Sequence, residues 1–212
     1  MIEMLRDDFL DFISSIPKDV TLVVASKYID EKQIKQIYDL GIKDFGENRV
    51  NDFLYKYENL KQFKDIKWHF IGHLQTNKAK QIINKIDYLH SLDSLKLAKI
   101  INENRLLPLQ AFVEVSINLE ENKNGVPYYE ALDFIKEVLK YPNIKIVGLM
   151  MMAVKNSLDA EEQFKKLRLL KEDIQKKLNI EIPYLSMGMS DDYCEAIKEG
   201  ATHIRLGRIL FK

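Results

Sequence analysis

The sequence predicts an eight-stranded parallel α/β barrel, (β/α)8, in one domain over residues 1–212, and three observations carry that reading. Apolar, β-branched runs recur near 20–25, 43–45, 67–71, 87–90, 109–115, 144–149, 183–186 and 202–206. Helical periodicity fills the intervals, the alternation that gives parallel strands with crossover helices. Closing eight strands on themselves removes the edges that nearly continuous apolar runs would leave open, which favours a barrel over a doubly wound open sheet. No Pro/Gly/Ser-rich linker, repeat or low-complexity stretch breaks the alternation.

The first periodic segment, residues 3–16, sets Met4, Leu5, Phe9, Phe12, Ile13 and Ile16 on one helical face, and Pro17 stops it. Too few residues follow the eighth run for an eighth outer helix, so this extra N-terminal helix is expected to take that place and make the chain ends neighbours. In a barrel of this kind chemistry gathers where the loops after the strands converge, so each strand end matters. The first run ends in Ser26-Lys27-Tyr28, the second in Gly46-Glu47-Asn48-Arg49 and the third in Ile71-Gly72-His73-Leu74-Gln75-Thr76-Asn77-Lys78. The fourth ends in His90-Ser91-Leu92-Asp93-Ser94, and the fifth leads into Asn118 and on to Lys123-Asn124-Gly125. The sixth ends in Gly148-Leu149-Met150, the seventh in Ser186-Met187-Gly188-Met189-Ser190 and the eighth in Arg205-Leu206-Gly207-Arg208.

Composition excludes several functions. Thirty-two Lys plus Arg balance thirty-two Asp plus Glu, so no net positive field concentrates nucleic acid or anionic lipid. A single cysteine, Cys194, forms no internal disulfide, and four scattered histidines offer no Cys/His metal cluster. The amino terminus carries acids where a secretory signal needs basic residues, and no apolar stretch reaches about 20 residues. The expectation is a soluble, cytoplasmic protein without structural zinc. There is no Gly-x-Gly-x-x-Gly or Walker-type loop for dinucleotides or nucleoside triphosphates.

Among the strand ends, Lys27 stands out. A buried wall precedes it, and desolvation of its stem would favour the neutral, nucleophilic amine that forms Schiff bases. A lysine there is otherwise a solvated flank. Loops after strands seven and eight form the phosphate site common in this fold, and Ser186-Met187-Gly188-Met189-Ser190 with Gly207-Arg208 can aim backbone N–H groups at an anion. The first stretch also reads as a turn with Ser190 capping a helix at 191–199. Asn48 is either a ligand contact or an N-cap for the helix starting near Arg49; His73 is either a structural hydrogen-bonding partner or a base. Met150-Met151-Met152, Met187 and Met189 fill the core or line an aromatic ring pocket.

Seven stretches resemble one family: Val24-Ala25-Ser26-Lys27, Asp44-Phe45-Gly46-Glu47-Asn48, the run from Trp68 to Lys78, Ser91-Leu92-Asp93-Ser94, Gly148-Leu149-Met150, the run from Leu185 to Ser190, and the run from Gly200 to Gly207. These are similar to the pyridoxal-phosphate homeostasis proteins, single-domain relatives of the alanine racemase N-terminal barrel. The resemblance runs from about residue 20 to the end. It implies pyridoxal 5′-phosphate held covalently on Lys27 as a Schiff base, Arg205 beside the pyridine nitrogen, and Ser186, Gly207 and Arg208 around the phosphate. Asn48, His73 and Met150 are carried as further cofactor contacts. Position 208 is often threonine or serine in the family, so Arg208 departs from the pattern. The family carries or buffers the cofactor without established turnover, and the implied partners are the cofactor and apo-enzymes that require it, around a monomer, with no nucleic acid, membrane or metal.

Three function classes follow. A carrier needs a Schiff-base lysine, a phosphate cup and an open mouth. A racemase-like enzyme acting on amino acids needs a second base, which the resembling racemases take from a C-terminal β domain and a partner subunit, and no such domain is expected here. A barrel enzyme using Lys27 as a base or aldolase-type amine on a phosphorylated sugar, without pyridoxal phosphate, would show no chromophore.

Overall fold

The computed structural model, which describes residues 5–117, 124–154 and 159–212, closes eight parallel strands into a barrel. They are β1 (Thr21–Ala25), β2 (Asp44–Glu47), β3 (Lys67–Phe70), β4 (Tyr88–Leu92), β5 (Leu109–Ser116), β6 (Ile144–Met150), β7 (Tyr184–Ser186) and β8 (His203–Leu206). Each strand pairs with the next in sequence, and β8 returns beside β1 with Thr21 opposite His203 and Val24 opposite Leu206. The expected barrel is therefore present, not the open sheet. A two-residue strand, Val126–Pro127, extends the end of β5 by pairing at Val115 and Ser116.

The helices are α1 (Phe9–Ser15), α2 (Glu31–Asp39), α3 (Val50–Leu60), α4 (Thr76–Ile82), α5 (Leu95–Asn104), α6 (Ala131–Val138), α7 (Ala160–Leu178) and α8 (Tyr193–Lys198). The N-terminal helix is shorter than the 3–16 expected. Leu5 instead makes an antiparallel bridge to Phe211, Arg6 pairs with Asp8 at 2.6 Å and donates to the Ile209 carbonyl, and the helix starts only at Phe9. The tie between Leu5 and Phe211 makes the two ends neighbours. Of the sequence expectations, Met4, Asn118 and Lys123 lie outside the described residues.

Alternation along each strand sorts the side chains into two layers. Outward residues such as Leu22, Val24, Phe45, Trp68, Phe70, Leu89, Val113 and Ile204 pack with the helices in one apolar core. Burying each large apolar side chain contributes about 1.5–3 kcal/mol, so this layer holds the barrel together. The inward layer is different. His69 stacks on Tyr88 with centroids 4.6 Å apart, His90 stacks on Phe112 at 4.4 Å, and His203 meets Tyr184 and Phe112 edge-on at 5.0 and 5.1 Å. Three of the four histidines, scattered in sequence, thus meet in the barrel bore. Among the described residues no group of His, Cys, Asp and Glu is arranged to hold a metal ion.

Candidate functional site at the C-terminal mouth

A cavity of about 600 Å³ opens where the strands end, lined by Lys27, Asn48, Met152, Met189, Ser190, Asp191, Asp192, Arg205, Gly207 and Arg208 among others. Its residues come from the ends of β1 and β8, from the loops after β1, β2, β3, β6, β7 and β8, and from the first turn of α7. The volume suits one small ligand.

Lys27 is held in place through its neighbours. Lys56, from α3, donates to the Ser26 carbonyl and to Glu47 Oε2, both at 2.6 Å. Ser26 Oγ lies 3.1 Å from Gly46 O and from Glu47 Oε2, and the Asn48 N–H donates to Glu47 Oε1 at 2.8 Å. This clamp joins the ends of β1 and β2 and sets the spacing of Lys27 and Asn48. Downstream, a capping box between Asp30 and Gln33 fixes the start of α2. The Lys27 amine itself is exposed, 4.7 Å from the Tyr28 ring centroid. The buried stem expected from the sequence stops at Ser26, because the chain turns into the open mouth after β1.

Asn48 Oδ1 is buried with no hydrogen-bond partner, the single such side-chain atom among the described residues. The N-cap alternative does not hold: Arg49 occupies the N-cap of α3 and makes no side-chain bond there. An orphaned buried acceptor costs free energy, and its residue is one that lines the cavity.

Arg205 is 5% exposed. Its Nη1 donates to Ser186 Oγ at 2.5 Å and its Nη2 to the Met151 carbonyl at 2.9 Å, leaving other N–H donors of the guanidinium for the cavity. Burial lowers its pKa to about 10, partly offset by Glu114 and Asp192, so it stays a cation near neutrality. Glu114, at the end of β5, is pushed up to about 7 by burial and by Asp93, with Arg205 opposing.

Gly207 lines the cavity beside Ala25 without a side chain of its own; a Cβ there would make ordinary van der Waals contact with the Ala25 Cβ at 3.4 Å. Arg208 reaches out to Asp191 Oδ2 at 3.0 Å. Ser190 lines the cavity and accepts from the Ile209 N–H at 3.4 Å; it is not a helix cap, because α8 begins at Tyr193 after Asp192.

Three expected contacts lie elsewhere. Ser186 is fully buried, its hydroxyl engaged by Arg205 and by His90 Nδ1 at 2.8 Å, so Ser190 holds the cavity position expected of it. Met150 points into the bore beside Phe112 and Val147, and Met152 and Met189 supply the thioether walls. His73 is exposed and bonded to Asp93 at 3.0 Å, away from the cavity lining. The clamp of Ser26, Glu47 and Lys56 was missed altogether, although a Glu ending an apolar run ahead of a helical lysine is its trace in the sequence.

The donor set fits pyridoxal phosphate: an open amine, a buried guanidinium with free N–H groups, an orphaned amide oxygen and a side-chain-free floor at Gly207 share one cavity.

Residues 29–212 match the family model described as alanine racemase, N-terminal domain. A pyridoxal phosphate homeostasis protein of Aquifex aeolicus is 42% identical over 195 residues, 90% of this chain and 85% of that protein. One of Synechocystis is 37% identical over 209 residues, 96% of this chain and 95% of that protein. The structure of PipY of Synechococcus elongatus with PLP bound superimposes with a TM-score of 0.86 at 29% identity, covering 97% of this chain and 99% of that one. An alanine racemase of Clostridium difficile, 16% identical with a TM-score of 0.78, shares the fold over 99% of this chain and 58% of its own. No helix among the described residues is long and apolar enough to cross a membrane. The chain belongs to the pyridoxal phosphate homeostasis proteins, built on the alanine racemase N-terminal barrel.

Proposed function

We propose that this protein, as one domain over residues 1–212, binds pyridoxal 5′-phosphate covalently through Lys27 and carries or buffers it for cytoplasmic apo-enzymes, as a monomer without turnover of its own. The observation that carries this reading is that Lys27 and Arg205 open on one cavity of about 600 Å³ that Asn48, whose buried Oδ1 is unpaired, also lines.

Bound pyridoxal phosphate supplies an electrophilic carbon and a ring that accepts electrons when its nitrogen is protonated. Arg205 supports storage over reaction. A guanidinium only donates, so beside the ring nitrogen it holds that nitrogen unprotonated, whereas a carboxylate would keep it charged. Gly207 and Ser190 offer a backbone approach and a hydroxyl for the phosphate, and Arg208 supplies a cation in reach of the same rim once it leaves Asp191. Asn48 orients the ligand by taking a hydrogen bond at Oδ1. Amino acids then meet a cofactor without a placed second base, and proton transfer lacks the roughly 100- to 10,000-fold acceleration such a group supplies.

The test is direct. Protein incubated with pyridoxal phosphate is expected to gain a visible absorbance band that disappears on borohydride reduction and leaves the label on the Lys27 peptide, and Lys27→Ala loses the band while staying folded. Label on Lys78 or Lys123 overturns the site, and sustained racemization abolished by Lys27→Ala overturns the carrier reading.

A further inference from the structure

One hydrogen-bonded chain of five side chains runs from the cavity through the bore to the opposite mouth. Arg205 Nη1 meets Ser186 Oγ at 2.5 Å, and Ser186 Oγ meets His90 Nδ1 at 2.8 Å. His90 Nε2 meets His69 Nδ1 at 2.9 Å, and His69 Nε2 meets Asp44 Oδ1 at 2.9 Å. Ser186, His90 and His69 are fully buried, and Asp44 is the first residue of β2, at the end of the barrel away from the cavity, with its side chain 28% exposed.

With both imidazoles neutral, the chemistry of the two ends fixes the direction of every link. A guanidinium only donates and a carboxylate only accepts. Asp44 accepts, so His69 carries its proton on Nε2 and offers a lone pair at Nδ1. His90 therefore donates from Nε2 and accepts at Nδ1. The Ser186 hydroxyl aims its proton at His90, which leaves its oxygen free to accept from Arg205. Burial, together with His69, Arg205 and His203, holds His90 well below the ordinary imidazole range, consistent with the neutral ring this order requires.

We propose that Ser186, His90, His69 and Asp44 are positioning residues for Arg205: by fixing the Ser186 hydroxyl they hold the guanidinium at two points, Ser186 Oγ and the Met151 carbonyl, and so aim its remaining N–H groups into the cavity. Ser186 then serves the site through Arg205 and not by touching phosphate. A planar fork held at two nitrogens does not rotate; held at one, it does. The inference rests on the reading that Arg205 faces the cofactor, but the placement of Arg205 can be measured without any cofactor.

The experiment uses the full chain labelled with ¹⁵N at histidine and arginine, unloaded and then loaded with pyridoxal phosphate. In the unloaded protein His69 and His90 are both expected as Nε2–H tautomers, with slowly exchanging Arg205 guanidinium signals. Ser186→Ala and Asp44→Leu should each broaden those signals and speed release of the loaded cofactor by roughly five- to tenfold, the worth of one hydrogen bond. The double variant should be no worse than Ser186→Ala, and Asp44→Asn, which keeps an acceptor for His69, should behave as the parent. An Nδ1–H tautomer at His90, or unchanged Arg205 signals in Ser186→Ala, overturns the proposal. If the parent takes up no cofactor while its Arg205 signals respond as described, the positioning chain stands and the carrier reading falls.

Discussion

A β-carbon on Gly72 would lie 2.3 Å from the carbonyl oxygen of Asn48, backbone against backbone. The absence of a side chain at the end of β3 is thus what allows the end of β2 to sit where Asn48 faces the cavity. No flexible atom can yield there. Gly72→Ala is expected to destabilise the fold by about 2–3 kcal/mol through overpacking, measured by urea titration, and to weaken pyridoxal phosphate uptake by moving Asn48.

Lys56 and Glu47 form an ion pair at 2.6 Å with side chains 8% and 0% exposed. Lys56→Met leaves the Glu47 carboxylate buried and uncompensated, at a cost of about 3–5 kcal/mol. Adding Glu47→Leu should recover much of that loss, yet not the cofactor affinity, because the tie between Ser26 and Asn48 is gone. A double variant as unstable as Lys56→Met contradicts this account of the clamp.

Stability should depend on pH through Glu114. Its folded pKa, about 7, lies above the ordinary 4.5, so its contribution is full below about pH 4.5 and is lost as pH rises through 7. Glu114→Gln removes that slope. The variant should gain up to about 3 kcal/mol on the parent at pH 8.5 relative to the difference at pH 4. Paired denaturant melts at the two pH values check it, and a parallel pair of pH profiles would count against it.

Asn48 sets ligand binding against stability. Its Oδ1 has no partner, and an unpaired buried acceptor costs about 1–3 kcal/mol. Asn48→Ala should therefore leave the unloaded protein as stable as the parent or more so, while pyridoxal phosphate dissociates faster. Loss of stability without any change in dissociation would assign Asn48 to the fold alone.

The barrel was legible because patterning is a property of local sequence: nearly continuous apolar, β-branched runs separated by helical spacing announce parallel strands, and eight of them favour closure. Lys27, Asn48, Arg205, Gly207 and Arg208 were reachable for the same reason, each standing at a strand end. That Ser186 and Met150 lie buried off the cavity lining was not legible, because position along a strand end says which mouth a residue approaches, while the face it presents depends on register and on local irregularities, such as the register shift between Ala111 and Phe112 on β5. The polar bore had a readable trace. His69 lies between Trp68 and Phe70, and His203 and Arg205 flank Ile204, so once the apolar partners face the helices the polar ones must face inward. What no local pattern carries is the pairing of residues far apart in sequence, such as His90 with Ser186, 96 positions away.

The stack of His69, Tyr88, His90, Phe112 and His203 turns the barrel into a vessel with a plugged base. Traffic through such a vessel is one-way in space even when it is reversible in time: what enters at the rim of Met152, Gly207 and Arg208 must leave over the same rim. Arrival and departure therefore exclude each other, and under the proposed carrier function a recipient enzyme would have to stand at the doorway by which the next molecule comes in.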